Sequence, residues 1–154
     1  MKISYQLNTA AHLIAGITIG LTGFFAFLMH AHIAESSGDS LPGYFPVSGG
    51  IICLLTGWNT LGNRPGFGGM ASIASGLRAM IFSIMVCCAL FGLYYIYLAL
   101  LQGLYLDPFR ALFDWFRISF EFFIGTISAE VWVIIILGGA ISGRITGMAN
   151  YSWR

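Results

Sequence analysis

With 154 residues, 58% of them hydrophobic and 16% aromatic, and with only seven basic and six acidic side chains, the chain lacks the charge to cover a water-soluble domain. A mean hydropathy of +0.84 points to an all-α integral membrane protein. A formal net charge of +1 implies no nucleic-acid footprint and no polybasic lipid patch across the chain, so membrane lipids and membrane proteins are the expected partners and nucleic acid is not.

A bilayer core of about 30 Å takes roughly 20 residues of helix, and four apolar runs supply it, at 10–33, 44–61, 72–101 and 124–147. The first follows Lys2 and is too long and glycine-rich for a cleaved signal, so it is expected to stay as a span. Its Gly16 and Gly20 are candidates for close helix packing. At its far end stand His30, His32 and Glu35. Residues two apart on a helix diverge by about 200°, so the two histidines do not chelate together; no metal site is expected.

Between the second and third runs lies GWNTLGNRPGFGG, residues 57–69. A phosphate loop needs a preceding strand and a lysine followed by a hydroxyl residue, and neither is here. The stretch therefore reads as a tight turn, with Gly57, Gly62, Pro65, Gly66 and Gly68 reversing the backbone and Trp58 and Arg64 anchored among headgroups. The cysteines at 53, 87 and 88 fall inside apolar runs and read as small buried side chains.

The stretch LDPFRALFDWFRISFEFF, residues 106–123, has its polar positions Asp107, Arg110, Asp114, Arg117 and Glu121 at alternating steps of 3 and 4. That spacing predicts an amphipathic helix over about 108–123, started by Asp107 as N-cap and Pro108 at the first helical position. Two i,i+4 pairs, Arg110 with Asp114 and Arg117 with Glu121, add about 0.3–0.5 kcal/mol each. Phe109, Phe113, Trp115, Phe116 and Phe120 are expected to enter lipid or a protein neighbour.

The fourth run carries a small-residue stripe, Gly139, Gly143 and Gly147, expected to meet the first run or a partner chain. Arg78 in the third run and Arg144 in the fourth lie within about two turns of one membrane face and snorkel; Glu130 and Arg144 are the candidates for polar positions inside the bilayer. Lys2, Arg64, Arg78, Arg144 and Arg154 all fall on one side of a four-span arrangement, which predicts cytoplasmic termini in a bacterial inner membrane. No nucleophile stands beside a base and no CxxC or HExxH occurs, so no catalytic residue is assigned. No cofactor is evident; a bound lipid or pigment stays open.

The turn motif, SGLRAMI, YLDPFRALFDWF, LGGAISG and the closing Trp153 and Arg154 together resemble the TrgA-type membrane proteins associated with tellurite resistance in alphaproteobacteria, in order over roughly 44–154. That family usually reads Gly-Trp-x-x-Met-Gly-x-Arg-x-Gly-x-Gly; Gly57, Trp58, Gly62, Arg64, Gly66 and Gly68 match, and Leu61 replaces the methionine. Where the family has Tyr-Asp-Gly-Pro and then an acidic residue, this chain has Tyr105, Leu106, Asp107, Pro108 and Arg110, and its C-terminal arginine pair becomes Tyr151 and Ser152. The resemblance implies a small inner-membrane protein. Together with the aromatics and glycine seams, it leads to the expectation of four transmembrane helices plus an interfacial helix, acting as a non-enzymatic accessory subunit of a photosynthetic or respiratory complex. The alternative is a tellurite-tolerance or transport protein acting alone or as a homo-oligomer.

Overall fold

The computed structural model describes residues 9–38, 41–63, 68–104 and 107–152. They form five helices: α1 (Thr9–Ser36), α2 (Phe45–Thr60), α3 (Gly69–Leu101), α4 (Pro108–Gly125) and α5 (Ala129–Ser152). Their ends follow local chemistry. Asp107 caps α4 by accepting from the Phe109 amide at 3.0 Å, with Pro108 next in line. Gly68 opens α3 at φ +91°, and Gly103 follows it at φ +71°, values that glycine adopts without strain.

Three helices, α1, α3 and α5, are long and apolar enough to cross a membrane. The 16 residues of α2 reach about 24 Å, short of the same length. The second apolar run is thus one helix as expected, but a short one. The fourth run differs more: Ile124 and Gly125 complete α4, and α5 starts at Ala129.

The pairs α1–α2, α2–α3, α1–α5 and α3–α5 run antiparallel, as their contacts show. Gly16 and Gly20 of α1 lie on Trp58 and Leu54 of α2, while Gly49 and Gly57 of α2 receive Phe27 and Ile19. Thr56 of α2 donates to Ser83 of α3 at 2.6 Å, and Cys53 meets Cys87 with 3.7 Å between sulfurs. Gly138 of α5 takes Thr22 of α1. Hence α1 and α3 are parallel, and α1, α2, α3 and α5 enclose one core.

The stripe on α5 closes that core. A Cβ on Gly76 of α3 would meet the Gly139 carbonyl and stand 2.6 Å from both the Cα and the nitrogen of Gly143. Gly139 and Gly143 therefore face α3 of the same chain, correcting the expectation of α1 or a partner; Gly147 lies beyond them, lining a groove with Ser72 and Arg144. The turn motif is also redrawn. Gly57 and Trp58 belong to α2, where Gly57 is buried so that Ile19 fits, and the turn proper begins at Leu61.

Replacing Gly143 by leucine is expected to lower bundle stability by about 1–3 kcal/mol through overpacking, whereas Ile136→Leu on the outward face stays within about 0.5 kcal/mol. Thermal unfolding of the two variants in the same detergent measures the difference; equal midpoints would mean that the α3–α5 approach is not close.

Candidate functional site

The amphipathic helix divides into three sectors rather than two. Ala111, Trp115, Ser119 and Phe122 turn toward the bundle: Trp115 Nε1 donates to the Ala89 carbonyl of α3 at 2.9 Å, and Ser119 fills the space left by Gly92. Phe122 joins an aromatic cluster at this end, with Phe45 and Phe91 (ring centroids 4.5 Å apart) and Tyr95. The C-terminal end of α4 reaches α1, where His30 lies against Gly125 and Phe45.

The second sector is apolar and uncovered. Phe109, Phe113, Phe116 and Phe120 are 59–73% exposed. Trp115, grouped with them from the sequence, instead faces α3. The third sector is the polar stripe, where Arg117 and Glu121 pair at 2.9 Å with both side chains exposed. The matching pair Arg110 and Asp114 does not form. An exposed pair of this kind contributes only a fraction of 1 kcal/mol, so the stripe chiefly sets which side of α4 meets water.

The linker explains why α4 crosses α3. Successive contacts, Ala89 with Trp115 and Tyr95 with Phe122, advance along both helices together, which antiparallel packing forbids. The six residues between Leu101 and Pro108 span at most about 25 Å, too little to carry α4 back for a parallel run. An oblique crossing satisfies both.

The remaining predicted residues scatter. Glu130 is exposed in the first turn of α5, where an anion suits the helix dipole, at the very start of the stretch long and apolar enough to cross a membrane. Arg144 is exposed beside Gly69 at the opposite end. Gly62 is buried under the His12 ring, and Trp58 is 40% exposed with its ring 6.2 Å from that of His12. Arg64, Pro65 and Gly66 lie outside the described residues. His30 is buried and His32 exposed, as their two-residue step requires. Among the described residues no three His, Cys, Asp or Glu side chains gather as a metal-binding group.

One feature escaped the sequence reading. Arg78 lines an open groove of about 610 Å³ with Asn59, Thr60, Asn63, Ser75 and Phe82. The Asn59–Asn63 spacing was the available signal, but only the α2–α3 register brings Arg78 to it. Family models, curated proteins and solved structures gave no match to the chain.

The three sectors predict a labelling pattern. In a background lacking the native cysteines, single cysteines at 117 and 121 should react with a membrane-impermeant maleimide several-fold faster than those at 113 and 116 in reconstituted protein. Equal rates at all four positions would remove the division between apolar and polar faces.

Proposed function

We propose that the chain is a four-span inner-membrane protein of the TrgA type, with α4 along the outer interface and both termini cytoplasmic. In this reading it is a non-enzymatic accessory subunit of a larger photosynthetic or respiratory membrane complex. The span count is supported by direction: α1 and α3 are parallel and each long enough to cross, so the chain must return between them. The helix available for that return is α2, antiparallel to both. Basic residues at the end holding Arg78 and Arg144 support the orientation.

The observation that carries the subunit reading is the uncovered phenylalanine face of α4. The helix is fastened from behind by Trp115, Ser119 and Phe122, so the four exposed rings stand on a firm support. Rigid aromatic surface beside a polar stripe is what a subunit contact at the membrane interface uses, since aromatic anchors give large contact area at low entropic cost. The tellurite reading has the sequence resemblance alone behind it.

Extraction in mild detergent followed by native electrophoresis tests this. The protein should co-migrate at fixed stoichiometry with a larger complex, and Phe113→Ser with Phe116→Ser should reduce co-migration at least several-fold, each buried ring being worth about 1.5–3 kcal/mol. Migration of the wild type alone or as a homo-oligomer would overturn the subunit role. Separately, a cytoplasm-active reporter fused at the C-terminus should function; activity only of a periplasmic reporter would overturn the orientation.

A further inference from the structure

We propose that the groove between the inner end of α2 and α3 is a headgroup site for one anionic phospholipid, with the phosphate on Arg78 and Asn59 and the acyl chains beginning against Phe82. The inference needs the bundle to be membrane-embedded and is independent of any complex it joins.

Depth is the first argument. The Thr56–Ser83 hydrogen bond fixes the antiparallel register, so Arg78 lies level with the last turn of α2 and the start of the following turn. A guanidinium there stands at headgroup height, not at the bilayer centre. Charge is the second. All six acidic residues of the chain fall at positions 35, 39, 107, 114, 121 and 130, and the described ones belong to the opposite end of the bundle. Among the described residues Arg78 has no carboxylate partner, while its groove has room for an external anion.

The donors are arranged for a phosphate. His12 Nε2 donates to Asn63 Oδ1 at 2.9 Å, and Asn63 Nδ2 donates to the carbonyl and Oδ1 of Asn59 at 2.6 and 2.9 Å. This chain holds the Asn59 amide with its own NH₂ group left to donate. The Thr60 and Ser75 hydroxyl protons are spent on the Thr56 and Ala71 carbonyls, so their oxygens face the groove as acceptors for headgroup hydroxyls. Arg78 supplies the planar fork that binds phosphate oxygens in pairs.

Polarity along the groove selects a lipid over free phosphate. Ser75, Arg78 and Phe82 follow one another outward along α3, and Phe82, one turn deeper than Arg78, is 48% exposed. A polar end at the membrane surface thus grades into an apolar wall toward the bilayer, the arrangement of basic lipid pockets between spans.

The test uses the full chain in neutral detergent, with native mass spectrometry and thermal unfolding as readouts and dioleoylphosphatidylglycerol, dioleoylphosphatidylcholine and inorganic phosphate as probes. Expected are one retained phosphatidylglycerol per chain with a raised melting temperature, and no such effect of phosphatidylcholine or of phosphate. Arg78→Ala should weaken retention about tenfold, the loss of one charge-assisted contact, Arg78→Lys should weaken it less, and Arg144→Ala should leave it near the wild-type level. If Arg78→Ala does not fold, Arg78→Lys and Asn59→Leu carry the test, each expected to weaken retention several-fold. Equal retention of phosphatidylcholine, protection by phosphate alone, or equal losses for Arg78→Ala and Arg144→Ala would each overturn the proposal.

Discussion

Between helices surrounded by lipid there is little hydrophobic drive, so α3 and α5 hold together by letting their backbones come close. Gly76 facing Gly139 and Gly143 is where that happens, with carbonyl and Cα where side chains would otherwise stand. The consequence runs along α3. Because α5 occupies its N-terminal half, the C-terminal half is open to another element, and a second glycine, Gly92, opens the notch that Ser119 and Trp115 of α4 enter. The two notches are 16 residues apart, about 24 Å, so one long helix carries two partners at separate heights. The excess length of α3 over its neighbours follows from serving both.

The same device joins α1 to α2, with glycines contributed from both sides. Gly16 and Gly20 admit Trp58 and Leu54, and Gly49 and Gly57 admit Phe27 and Ile19. Helices this glycine-rich give up intrinsic stability in the interior, and the packing they allow must offset it. At the end where α4 packs the method changes: Phe27, Phe45, Phe91 and Phe122 bring four helices together through ring contacts of 4.5–6.3 Å, each worth about 0.5–1.5 kcal/mol beyond area burial. Glycine seams need exact facing positions, whereas rings tolerate varied angles, which suits the end where α4 crosses obliquely.

The elements were legible because their signals are local. Apolar runs located four of the helices, the 3- and 4-residue steps of the polar positions located α4, and Asp107 with Pro108 marked its start. What the sequence hid depends on register. Gly139, Gly143 and Gly147 announce a close contact, but nothing in one helix says which neighbour supplies the matching Gly76. Trp115 and Phe116 are adjacent aromatics of similar character, and their assignment to bundle and exterior depends on where Ala89 and Gly92 lie. Gly57 in a glycine-rich stretch resembles a turn residue until Ile19 is seen to need its space. Glu130 reads from the sequence as a candidate for either a polar position inside the bilayer or one at its face, because the apolar run continues through Ile124 and Gly125; the helix break between Gly125 and Ala129 leaves it in the first turn of α5.

Charge shows most clearly how a whole-chain average conceals local order. A net charge of +1 argues against a basic patch only if the charges are mixed, and here they are sorted. The segments at one end hold every acidic residue among the described ones, with Arg110 and Arg117 as their cations, and Arg117 is committed to Glu121. The other end has Arg78 and Arg144 with no acid beside them among the described residues. Attraction between exposed charges fades over roughly 10 Å at moderate salt, a distance far shorter than the bundle is long, so the acids of one end do nothing to neutralise the arginines of the other. Each end therefore answers to its own surroundings, and the near-zero total constrains neither.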